Sequence, residues 1–197
     1  YFVSGATPFL TIVSGLALVN MVVVANVLRE TVAWSFTLSG AVIAGALFAL
    51  VSGVVFDSDL ASVVQEIEAV FAQISQQLDQ SVVIPSGTMM LAISAWMITL
   101  STVVSLFVSR WWQALLYNPG GFQEEFHGLR LESKLGLSLA ILLGAGVLLP
   151  DDYRIWVQLA SIPLMLAGLA LVHYWVKAKV KSSRWLVFVY FGLILYS

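Results

Sequence analysis

Six long apolar stretches separated by short polar intervals organise this chain. They cover roughly residues 3–28, 34–56, 88–108, 131–149, 155–176 and 185–197. About 20 consecutive apolar residues carry a helix across the hydrocarbon core of a bilayer. The pattern therefore predicts an all-α, polytopic transmembrane helix bundle, one domain over 1–197 with about six spans. The fourth stretch holds Glu132 and Lys134 in its first turn, which predicts snorkelling to the interface or a short, tilted span. Tyr1 opens close to one apolar run and Phe191 to Ser197 lie inside another. A piece of a longer protein is the expectation.

The two longer polar intervals carry patterns of their own. After the second stretch, Leu60, Val64, Ile67, Phe71, Ile74 and Leu78 recur at alternating spacings of four and three, with Val63 and Val70 beside them. That is one continuous helical stripe. Asp57, Ser58 and Asp59 are cap candidates, and Pro85 and Gly87 close the segment. An external amphipathic helix over 60–80 follows, lying on the membrane surface or over the bundle. A lid over an outward-facing cavity, or a short coiled coil between copies, is the functional alternative.

The interval 110–132 has a different character. Trp111, Trp112 and Tyr117 suit the headgroup level, and Asn118-Pro119-Gly120-Gly121 is a turn signal. Phe122, Phe126 and Leu129 then form an apolar face, with Glu124, Glu125 and Arg130 free for solvent or ion pairs. This predicts a short cytoplasmic amphipathic helix held against the inner membrane surface. It serves either as an orienting hairpin or as a coupling element touching a membrane or cytoplasmic protein partner.

Composition agrees with the membrane reading. The chain is 60% hydrophobic and 10% charged, with a mean hydropathy of +0.95, against about 25% charged residues in soluble domains. The lipid bilayer is its first partner. A net charge of −2 offers nucleic acid no footprint, and the absence of cysteine excludes disulfides and thiolate chemistry. All Lys and Arg except Arg154 fall in the intervals 29–33, 109–134 and 177–184, whereas the interval 57–87 holds acidic residues and no basic one. The positive-inside rule places the basic intervals in the cytoplasm, and 57–87 and 150–154 in the periplasm, of a bacterial inner membrane.

Candidate chemistry is sparse. No charged residue lies deep inside a span, as proton relays and voltage sensors usually require. Asn20, Asn26 and Gln158 are embedded amides suited to interhelical hydrogen bonds. His173 with Tyr174 and Trp175 reads as an interfacial belt. His127 follows Glu124 in the Glu-x-x-His spacing of di-iron bundles, but without the second pair and the extra carboxylates such sites need. No Walker loop or Ser-His-Asp set is present. Catalytic residues, metal and cofactor are therefore not expected, and neither is an enzyme. Ala41, Gly45, Ala49 and Gly53 form a stripe of small residues at spacing four, repeated by Gly136, Ala140 and Gly144. Such stripes let helix backbones approach closely, within the chain or in docking a partner subunit.

The run Trp112-Gln113, then Tyr117-Asn118-Pro119-Gly120-Gly121-Phe122-Gln123-Glu124-Glu125-Phe126, then Leu129-Arg130-Leu131 resembles the signature of the YybS-like family of bacterial membrane proteins. That resemblance implies a longer protein and a distant kinship with the substrate-binding S components of energy-coupling factor transporters, built as bundles of about six helices. It implies no particular ligand and no ligand residues. S components usually dock their partner through small residues on the first helix; here the clean stripe lies on the second.

Two functions follow as expectations. A small-molecule binding or uptake component predicts a polar cavity open to the outer face beneath the 60–78 helix. A membrane scaffold or assembly factor predicts a filled bundle, with a protein partner or homo-oligomer on one of the amphipathic helices.

Overall fold

A computed structural model describes residues 6–78, 84–180 and 184–196. Tyr1, the segment 79–83 with Asp79, Lys181 of the 177–184 interval, and Ser197 lie outside the described residues. Every regular element described is helical: α1 (Ala6–Thr31), α2 (Trp34–Val55), α3 (Asp57–Leu78), α4 (Gly87–Tyr117), α5 (Gly121–Gly128), α6 (Ser133–Gly146), α7 (Asp151–Gln158), α8 (Ser161–Trp175) and α9 (Arg184–Tyr196). Five residues of π-helix, Val176–Val180, continue α8.

Four helical segments are long and apolar enough to cross a membrane: Thr11–Thr31, Trp34–Val55, Gly87–Tyr117 and Ser161–Lys179. The fourth and sixth apolar stretches form shorter helices. At 1.5 Å per residue, α6 with 14 residues and α9 with 13 each measure roughly 20 Å, against a hydrocarbon core of about 30 Å. Large apolar side chains such as Leu18, Val22, Leu47, Val51, Val54 and Val104 stand exposed on α1, α2 and α4. A solvent of lipid accounts for that outer surface.

The core is a three-helix unit of α1, α2 and α4. Ala41, Gly45 and Ala49 are buried along α2, and Gly45 faces Ala95 and Thr99 of α4. A β-carbon at Gly45 would run into Thr99 Oγ1, and one at Gly53 into the Leu91 side chain. Thr99 Oγ1 donates to the Ala41 carbonyl at 3.4 Å. The α2 stripe is thus consumed within the chain. The second stripe behaves otherwise: Ala140 and Gly144 are exposed on α6, and a β-carbon at Gly144 would meet nothing within 4 Å.

The amphipathic helix expected over 60–80 is α3; it starts at Asp57, with only Phe56 between it and α2. Asp57 and Asp59 occupy its first turn rather than capping it, and there they suit the positive end of the helix dipole. It folds back over the bundle. Leu60 and Val63 are buried with Val13, Met90 and Ile98, and Val64 and Ile67 pack against them. Beyond that point Val70 and Ile74 are exposed. Ser86 rather than Gly87 ends the connection: its hydroxyl accepts from Met89 N at 3.2 Å and caps α4. With 31 residues, α4 continues to Tyr117 and absorbs the first part of the interval expected as a loop from 110.

The fifth stretch is broken. Pro163 has no N–H for the Leu159 carbonyl, and its ring crowds that carbonyl. Ile162 N takes it at 3.2 Å in a tighter turn, so α7 ends before Leu159 and α8 starts at Ser161. α7 seals the end of the bundle that holds α3's start. Trp156 Nε1 donates to the Thr88 carbonyl at 3.2 Å, and Ser86 Oγ donates to Asp152 Oδ1 at 2.8 Å. Arg154 sits at this end, paired with Asp151 at 3.0 Å. Arg29, Arg110 and Arg130 gather at the other.

Candidate functional site

The basic end is built around a column of aromatic rings. Trp34, the first residue of α2, stacks on Phe107 of α4 with ring centres 4.6 Å apart. Phe122 and Phe126 of α5 each set an edge against Phe107 at 5.8 Å, and Phe126 meets His173 of α8 at 5.4 Å. The apolar face of α5 is therefore turned into the protein, not laid on the membrane as its amphipathic pattern suggested. Edge-to-face rings at these distances contribute roughly 0.5–1.5 kcal/mol per pair beyond burial.

The turn that aims α5 inward is the predicted one. The Asn118 N–H bonds the Ala114 carbonyl to end α4, and Gly121 N returns to the Asn118 carbonyl at 2.9 Å. Gly120 has φ of 93°, a left-handed conformation natural to glycine. Gly121 is buried where a side chain would strike the Asn118 amide. Pro119 and Glu124 are exposed.

Beside this column lies a cleft of about 760 Å³. Its walls are the last turns of α1, the Val32–Ala33 reversal, α4 near Arg110, and α5 with the following Leu129–Arg130 strand of chain. Leu28, Trp34, Leu106 and Leu129 give it a buried apolar side. Arg29, Arg110 and Arg130 line its other side with Glu125 as the one carboxylate. That carboxylate is engaged: Arg110 Nε donates to Glu125 Oε2 at 3.2 Å, Arg110 Nη2 closes a second bond to Oε1, and Nη1 holds Gln113 Oε1 at 3.0 Å. The fork-to-fork pair locks α5 to α4. Arg130 lies over the Tyr174 ring at 5.8 Å. Neither Arg29 nor Arg130 has a carboxylate partner among the described residues. Arg29 and Arg130 thus bring to the cleft two positive charges without a direct ion-pair partner among the described residues, an arrangement suited to an anion.

The embedded amides separate on inspection. Asn20 is fully buried and donates from Nδ2 to Thr102 Oγ1 at 3.0 Å, joining α1 to α4. Asn26 lies on the cleft wall and bonds back to the Val22 carbonyl at 2.9 Å. Gln158 ends α7 and is exposed.

On the far side of α5, His173 Nε2 lies 2.8 Å from Tyr190 Oη, and the His127 ring lies 6.4 Å from that of His173. Tyr174 and Trp175 face outward as a belt, whereas His173 turns in toward Phe126. Burial pushes the His127 imidazole below its ordinary range, helped by the nearby Lys177 charge and by His173. Among the described residues no three His, Asp or Glu side chains converge on a metal-sized site. Glu124 and His127 share only their spacing.

Sequence reasoning named Arg130, Glu125 and the turn, and it missed Arg29, Trp34 and Phe107 as parts of the same site. Arg29 read only as an orientation marker, and the two rings only as span residues. The chain matches no family model, no curated protein and no solved structure.

Proposed function

We propose that this chain is a non-catalytic binding component of a bacterial inner membrane, holding an anionic small molecule in the cleft among Arg29, Arg110 and Arg130. One observation carries the reading: of the three arginines lining the cleft, two have no carboxylate ion-pair partner among the described residues. A guanidinium pair beside an apolar wall is chemistry for an anion, and a cavity of this size accommodates a metabolite-sized ligand. The resemblance to YybS-like proteins, and through them to S components, agrees with a binding role. It led to the expectation of an outward opening under α3, but there Leu60 and Val63 pack on Val13, Met90 and Ile98. The proposed site therefore sits at the basic, cytoplasmic end. The bundle crosses the membrane six times in this reading. α6 runs from beside Arg130 to a contact with Val157 at the acidic end, and α9 starts again at the basic end.

The closely packed α1–α2–α4 interior favours a second reading, a membrane scaffold acting through a protein partner or homo-oligomer. Native mass spectrometry of the full-length protein from its own membrane separates the two. The binding reading expects a co-purifying anionic molecule that is lost from the Arg29→Gln, Arg130→Gln double variant. A protein complex with no small molecule, unchanged in that variant, would replace it with the scaffold reading.

A further inference from the structure

We infer that the cleft's ligand is a phospholipid with an anionic headgroup, drawn from the leaflet at the basic end; this rests on the binding reading above and specifies its ligand class. Three observations point there. The first is charge: Arg29 and Arg130 flank the Arg110–Glu125 pair and are themselves exposed and free of carboxylates among the described residues. Phosphate diesters match guanidinium donors in geometry as well as in sign.

The second is depth. The cleft is not confined to the headgroup level. Along α1 its lining continues from Arg29 through Ala25 to Met21, a climb of about 12 Å at helical rise. Apart from Asn26, whose amide bonds back to the Val22 carbonyl, the wall there is apolar, in the part of α1 where Val22 and Val23 are exposed. A free phosphate uses only the arginine end of such a cleft. A phospholipid uses both, with the phosphate at the arginines and the start of an acyl chain against Met21, Ala25 and Leu106.

The third is level. Trp111, Trp112 and Tyr117 are exposed on the last turns of α4, on either side of Gln113, which lines the cleft. Trp and Tyr concentrate at the headgroup level of a bilayer. The arginines therefore stand where phosphates are, and basic pockets between membrane helices are suited to anionic headgroups.

The test uses the full-length protein, delipidated in neutral detergent and returned to nanodiscs of phosphatidylcholine with a minor share of phosphatidylglycerol. Retained lipid is read by native mass spectrometry. Wild type is expected to retain phosphatidylglycerol selectively. Arg29→Gln and Arg130→Gln together are expected to weaken that retention about tenfold or more, since each basic group near the surface contributes to it. Lys134→Gln and Lys179→Gln together, which likewise remove two positive charges but outside the cleft, are expected to leave it unchanged. Equal loss in that lysine double variant, or equal retention in all variants, would reduce the effect to general attraction and overturn the proposal. A parallel arm adds inorganic phosphate to the delipidated protein and reads the melting temperature. Arginine-dependent stabilisation by phosphate without selective lipid retention would overturn the lipid assignment and leave the anion site standing. No response in either arm would overturn both.

Discussion

Asn20 and Thr102, 82 positions apart, meet in the middle of the bundle with Asn20 Nδ2 3.0 Å from Thr102 Oγ1. The threonine hydroxyl in turn donates to the Ile98 carbonyl at 2.7 Å. It is the joint by which α1 recognises α4 in a setting where lipid gives apolar surfaces no reason to prefer one neighbour over another.

The joint is asymmetric, and that gives a prediction. Thr102→Val keeps the shape but leaves the buried Asn20 amide without its partner. A cost of about 1–3 kcal/mol is expected. Asn20→Leu, Thr102→Val together removes both polar groups and is expected to cost less than Thr102→Val alone. Unfolding in mixed micelles, run as a double-mutant cycle, measures the difference; additive effects would dismiss the joint.

Two glycines of α2 should respond in opposite ways. Gly45→Val forces α2 and α4 apart at Thr99 and is expected to cost about 1–3 kcal/mol as overpacking. At Gly40 a β-carbon meets nothing within 4 Å, so Gly40→Ala is expected to be neutral or to stabilise by up to about 1 kcal/mol through helix propensity. Thermal midpoints of the purified variants decide it.

Val32 and Gly120 have the same sign of φ for different residue types, 51° and 93°. A β-branched residue in the left-handed region is strained by about 1–2 kcal/mol. Val32→Gly should recover part of that strain and raise the melting temperature, and Gly120→Ala should lower it by a comparable energy. Matching responses of the two variants would contradict this.

Stability should fall in mild acid through His127. Its folded pKa lies below the ordinary value of 6.5, first from burial and then from Lys177 and His173. The unfolded chain therefore binds the proton more readily. The contribution of His127 is fully present above pH about 6.5 and is lost as pH drops toward the folded pKa. Unfolding at successive pH values should show a shallower acid loss for His127→Gln than for wild type. Parallel profiles would exclude the imidazole as the source.

Much of this architecture was legible before any coordinates. A bilayer admits only helices and closed barrels, and the apolar runs near Val22, Leu47 and Val104 have the length of a spanning helix, about 20 residues, rather than the roughly 10 of a barrel strand. The clustering of basic residues foretold that Arg29, Arg110 and Arg130 share one end while Arg154 stands at the other. The small-residue stripe on α2 foretold a close helix contact, and Asn118 to Gly121 foretold the turn. Pro163 was visible, but its effect depended on where the helix hydrogen bonds fell. Which face met which was decided only by the tertiary structure. An apolar stripe is accepted equally by lipid and by protein, so Phe122 and Phe126 could have faced the membrane until Phe107 and Trp34 were brought beneath them. The cleft arises the same way: its three arginines belong to separate segments, and only the packing of α1, α4 and α5 leaves them around one space with a single carboxylate among them.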